Sequence, residues 1–148
     1  MIEEEKLEHS QDDKIVGALG HAAAFLPFWG IIAPVLIWVT QREKSEFIRQ
    51  QSAQALAWQI LQICLRFIGM AFYMGSFFLT FGSVFMMDEM GSNGPPPVFF
   101  LPFCVMGVIF FTFIITIIVA LYAAVRNLQG HDFNYPLIGQ RVRAYLAK

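Results

Sequence analysis

Polar and apolar positions fall in long blocks along this chain. Residues 1–13 are polar and acidic, and three apolar stretches follow. Residues 15–39 hold a single Asp, Glu, Lys, Arg or His, namely His21; residues 53–87 hold one, Arg66; residues 98–125 hold none. A helix crossing the hydrocarbon core needs roughly 20 apolar residues, so each stretch is long enough. Lipid offers backbone N–H and C=O groups no partner, so all three are expected to be helices. A chain of 148 residues cannot bury three such runs in a water-soluble core. The expected fold class is all-α, an integral membrane helical protein.

The first stretch, residues 15–40, has Pro27 near its middle, then Gly30 and Pro34. Proline removes a helix hydrogen bond and kinks or breaks the helix. Two models follow: one kinked helix that crosses, or two half-helices that turn back at residues 26–30 as a re-entrant hairpin. The second stretch runs on to Met87. Its last part, residues 67–87, is long enough to span alone, which leaves residues 52–65 as a cytoplasmic or interfacial extension. A loop at 88–97 carries Gly and three consecutive prolines, and residues 103–125 form the third span. The expected divisions are an acidic polar tail (1–14), a helical membrane domain (15–128) and a basic cytoplasmic C-terminal tail (129–148).

Lysine and arginine orient these spans. Residues 41–51 carry Arg42, Lys44 and Arg49, the C-terminal part carries Arg126, Arg141, Arg143 and Lys148, and the loop 88–97 carries none. By the positive-inside rule, 41–51 and the C-terminus are expected in the cytoplasm and 88–97 outside. The rule also favours re-entrance of the first stretch, because the N-terminal Lys6 and Lys14 then lie inside.

On a helical wheel the second stretch has two faces. Gln51, Gln54, Gln62, Arg66, Gly69, Tyr73, Ser76, Thr80 and Ser83 fall within roughly a 120° arc, opposite Ile60, Phe67, Met74, Phe78 and Phe85. The third stretch has a shorter counterpart in Thr112, Thr116, Ala120, Ala123 and Asn127. Small and hydroxyl residues let membrane helices approach closely, so the stripes are expected to pack together; a hydrated path or docking face is the alternative. Arg66 adjoins the start of its span and is expected to snorkel to lipid phosphates. His21, beside Gly20 and Ala24, is expected to be a helix-contact residue bonded to a backbone carbonyl. Trp29, Trp38, Trp58, Tyr73 and Tyr122 read as interfacial or packing aromatics.

Composition narrows the function. Only 14% of residues are charged, against about a quarter in soluble domains, and the net charge is −1. No basic run with interleaved aromatics suggests nucleic acid. Cys64 and Cys104 lie singly in apolar runs, where buried thiols rather than a disulfide or zinc site are expected. No catalytic triad, carboxylate pair or phosphate loop is visible, so no enzyme activity, cofactor or metal is expected.

Some short motifs are familiar. Pro34 to Trp38, the charged loop, Phe47-Ile48-Arg49, Gln54-Ala55-Leu56 and Gln59 form one half of a pattern; Ala123-Ala124, Gly130, Phe133, Tyr135 and Pro136 form the other. With His21 they resemble a bacterial family of small membrane proteins of unknown function. That family is distantly similar to the twenty-kilodalton subunit of the chloroplast inner-envelope protein translocon. Gln51 stands where the family often has His, and Ala57 where it often has Asn. The resemblance implies a fold and no activity. The expected function is that of a non-enzymatic multi-pass protein of the cell (inner) membrane, an accessory or structural subunit that packs with other membrane proteins or with itself. A small channel or translocation component using the polar stripe is the alternative, and lipid binding by the basic tail is a third reading. Membrane lipids are expected partners and nucleic acid is not.

Overall fold

The computed structural model describes residues 10–26, 28–89, 94 and 97–147, with main chain alone at 87–89. Pro27, most of the loop 88–97 and the acidic tail up to residue 9 lie outside these residues. Within them the chain is all-helical: α1 (Gln11–Ala22), α2 (Ile32–Gln41), α3 (Glu46–Glu89), α4 (Leu101–Leu128) and α5 (Gly139–Leu146), with short 3-10 turns at Ala23–Phe25, Trp29–Ile31 and Pro97–Phe100.

Local chemistry sets the boundaries. Ser10 caps α1 by accepting the Asp13 N–H at 3.1 Å, and Asp12 and Asp13 sit in the first turn, where carboxylates suit the helix dipole. The helix ends before Leu26, which is extended (φ −93°, ψ 104°), as a residue preceding proline must be. Phe28 takes a positive φ of 63°, and the Gly30 N–H donates back to the Leu26 carbonyl at 2.8 Å. Only glycine fits at 30, since a Cβ there would collide with the Ala23 carbonyl. Pro34 is the third residue of α2, in the first turn, where its missing N–H costs nothing.

The first apolar stretch is thus two helices folded back on each other, with Ile37 of α2 3.5 Å from where a Cβ on Gly20 of α1 would stand. At 12 and 10 residues the arms are about 18 and 15 Å long, and neither can cross a ~30 Å hydrocarbon core. The single kinked span is not what forms.

Ser45 caps α3 through the Ile48 N–H at 3.2 Å. With no proline between 46 and 89, the helix continues for 44 residues, about 66 Å and twice the hydrocarbon thickness. α4 is 28 residues and ends at a glycine cap: Gly130 has φ 76°, and the N–H groups of Gly130 and His131 return to the carbonyls of Asn127 and Arg126. Both long helices are apolar enough to cross a membrane, and only 11% of each span's most apolar window is buried, which no core helix of a soluble protein would tolerate. This is a membrane protein. Cys64 and Cys104 are exposed on these helices rather than buried as expected, since lipid, unlike water, accepts an outward-facing thiol.

The chain divides into two compact units. The first comprises residues up to 61 with 117–148, the second residues 62–116. In the first, α1 sits close against α3: a Cβ on Gly17 would lie 3.0 Å from the Phe47 ring and 3.2 Å from the Asn127 amide, and one on Gly20 would lie 3.6 Å from Ala55 Cβ. Its apolar centre is Ala24, Trp58, Ala120, Ala123 and Tyr135. The basic tail is part of this unit: Tyr135 is buried within it, and Gly139 at the start of α5 packs on the Asn134 backbone. In the second unit the small face of α3 meets α4 at Gly69, where a Cβ would stand 3.0 Å from Ile109. On the opposite face Phe67, Met74, Phe78 and Phe85 are all exposed, from 41% at Met74 to 70% at Phe85.

Gly17→Val should therefore lower stability by about 1–3 kcal/mol through overpacking, whereas Gly82→Ala, with open space around it, should be neutral or mildly stabilising. Thermal unfolding of both variants in one detergent checks this; equal effects would contradict the close approach at Gly17.

Candidate functional site

α3 begins as a polar helix, and its inward amides tie the first unit together. Gln51, Gln54 and Gln59 recur at helical spacing, all on the buried face. Gln54 grips the chain after α4: its Nε2 donates to Asn134 Oδ1 at 2.7 Å, and its Oε1 accepts the Tyr135 N–H at 3.1 Å. Gln59 Nε2 donates to the Gly20 carbonyl at 3.3 Å. These amides satisfy main-chain groups of segments that cannot bond to themselves, which matters most where water is excluded.

His21, 1% exposed, is the centre of this knot. Its Nδ1 is 2.8 Å from Tyr135 Oη and its Nε2 is 3.2 Å from the Gln51 amide. With the Gln51 oxygen accepting the Phe133 N–H (3.2 Å), its nitrogen faces the Phe133 carbonyl (3.3 Å) and His21 Nε2 (3.2 Å). That arrangement makes Nε2 an acceptor, so the imidazole proton resides on Nδ1 and is donated to Tyr135 Oη. Tyr135, 2% exposed, stacks on Trp58 with ring centroids 4.4 Å apart and 12° between planes, and Phe133 meets its edge at 5.0 Å. Burial pushes the His21 pKa from 6.5 down to about 4 and raises that of Tyr135 well above its ordinary 10. Both groups are neutral across the physiological range.

Several motif positions read from the sequence converge here: His21, Gln54, Gln59 and Tyr135 by hydrogen bonds, Phe47 and Ala55 by packing on α1. Pro34 is buried in α2, and Leu56 and Trp38 line a separate apolar hollow with Ile138 and Tyr145. Gly130 makes the α4 cap, while Pro136 is exposed. The expected bond from His21 to a backbone carbonyl is replaced by side-chain partners on α3 and the tail, because Gln51 and Tyr135 face the same point from two directions. Gln51, the departure from the family pattern, is itself a hub; no local signal in the sequence tied it to residues 133–135.

The polar stripe of the second unit is different. Ser76 and Thr80 of α3 and Thr116 of α4 are buried, with Tyr73, Ser83 and Thr112 partly so. The hydroxyls bond back to their own helices, Ser76 to the Tyr73 carbonyl at 2.6 Å, Ser83 to that of Thr80 at 2.7 Å, Thr112 to that of Val108 at 2.8 Å and Thr116 to that of Phe113 at 2.9 Å. Thr80 bonds to the Ser76 carbonyl and also reaches Val98 O at 3.0 Å. Bonded in this way, the hydroxyls find their partners within the helices. Arg66 Nη2 donates to Gln62 Oε1 at 3.0 Å, and its guanidinium lies 4.9 Å over the Phe113 ring.

Residues 12–142, nearly the whole chain, match the model of the magnetosome magnetite crystal formation protein family (MamF/MmsF). No curated protein and no solved structure matches. The motifs correctly pointed to a family of small membrane proteins. The matched family is described by a function rather than as one of unknown function, and nothing in the match supports the translocon likeness or a translocon-like role.

Two outcomes follow from the knot. Tyr135→Phe leaves His21 Nδ1–H buried without an acceptor and should cost about 1–3 kcal/mol in unfolding free energy. Between pH 6.5 and 4 the unfolded chain binds a proton that folded His21 refuses, so the His21 contribution is complete above 6.5 and is lost as pH falls through that window. Lowering pH from 6.5 to 5 should remove roughly 2 kcal/mol, and His21→Asn should abolish that part of the slope, as read from melting curves at a series of pH values.

Proposed function

The chain belongs to the magnetosome magnetite crystal formation protein family, and from that premise we propose that it is a protein of the magnetosome membrane that takes part in forming the magnetite crystal. The observation that carries this reading is the family match over residues 12–142, which takes in every element of the knot. In this reading its location is the magnetosome membrane, an invagination of the inner membrane expected from the sequence.

Its role in this reading is that of a non-catalytic accessory or structural subunit beside other membrane proteins. The neutrality and inaccessibility of His21 support this, because a buried imidazole with both nitrogens bonded serves packing rather than proton transfer. The lysine and arginine distribution puts residues 41–51 and the C-terminus in the cytoplasm, and the loop 88–97 on the opposite side, the lumen in which a crystal would grow.

Deleting the gene in its host should leave magnetite crystals smaller or misshapen in electron micrographs, with recovery when the gene is restored. A fluorescent fusion should co-localise with the crystals. Crystals of unchanged number, size and shape, with the fusion spread evenly over the cell envelope, would overturn the proposal.

A further inference from the structure

The second unit contains a hollow of about 170 Å³ between α3 and α4, whose lining includes Gln62, Leu65, Arg66, Ile68, Val108 and Phe113. Its polar end is built from donors. Gln62 is 3% exposed, its Oε1 is taken by Arg66, and its buried Nε2 has no acceptor. Buried donors are nearly always satisfied, so an amide nitrogen left open in a membrane helix points to a ligand that supplies the acceptor. Arg66 adds a guanidinium, which can only donate, held in place over Phe113.

The rest of the wall is apolar, and Leu65, Ile68 and Val108 are also exposed on the outer surface, where lipid chains would lie. Arg66 immediately precedes residues 67–87, a length matching the hydrocarbon thickness, so it stands at headgroup height at the end of that span. We infer that this hollow binds an anionic phospholipid, with the phosphate oxygens on Gln62 Nε2 and Arg66 and the glycerol end of the chains along Leu65, Ile68 and Val108. The Gln62–Arg66 bond orients the guanidinium beside the amide, so the two donors converge on one anionic group. The inference is independent of which membrane houses the protein.

Native mass spectrometry of the full chain released from nanodiscs of mixed phosphatidylglycerol and phosphatidylcholine tests it. The protein should retain one phosphatidylglycerol in preference to phosphatidylcholine. Arg66→Gln and Gln62→Leu should each weaken that retention about tenfold, as expected for loss of a hydrogen bond to a charged group. Gln62→Glu, which keeps an acceptor for Arg66 and removes only the open donor, should abolish that retention without lowering the melting temperature; a merely structural glutamine would leave retention as it is. Arg141→Gln, in the C-terminal tail, should retain the lipid as the unaltered protein does. Equal retention of the two lipids, retention unchanged by both variants, or displacement of the lipid by millimolar inorganic phosphate would each overturn the assignment.

Discussion

The first unit depends on a handful of buried amides doing what water does elsewhere. Where α1, α3, the end of α4 and residues 133–135 meet, the chain has turns and helix ends whose N–H and C=O groups need partners. Gln51, Gln54 and Gln59 present a donor and an acceptor each, on one face of a helix that is itself fully bonded. A side-chain amide in such a site is worth little as a net gain over solvent, yet its loss exposes two groups with no alternative, so the network is held by the cost of breaking it. His21 joins that network because its two nitrogens can meet a glutamine and a tyrosine at once.

Close packing makes the knot reachable. Gly17 and Gly20 bring α1 within contact of Phe47 and Ala55, and the 3-10 turns around residues 23–31 bring α2 back beside it. The stacked pair Trp58 and Tyr135 then closes the unit from the tail side. Apolar burial is modest here, because most large side chains of α3 and α4 face outward. In lipid there is little to gain from hiding them, so specificity rests on small residues and hydrogen bonds.

In the second unit the same helix changes its chemistry. The glutamine face gives way to Gly69, Ser76 and Thr80, whose hydroxyls return to their own helix and let α4 approach. Gln62 and Arg66 stand at the beginning of this unit and retain the donor character of the amides before them. The chain thus combines a polar helical unit with an apolar pair of helices.

The sequence by itself determined the membrane class, the two spans and the two-faced character of α3, because each depends on hydropathy over a few helical turns. It also singled out His21, Gln54, Gln59 and Tyr135 through a family resemblance, without saying that they touch. The tertiary structure decided that the first stretch doubles back instead of crossing: Pro27, Gly30 and Pro34 allow either path, and it is the fit of α1 against α3 that selects one. It also decided that the basic tail is built into the fold, since the partners joining residue 21 to 135 and residue 54 to 134 lie 114 and 80 positions apart. Pairings over such separations leave no periodic trace in one sequence. Only the folded chain shows which amide meets which turn.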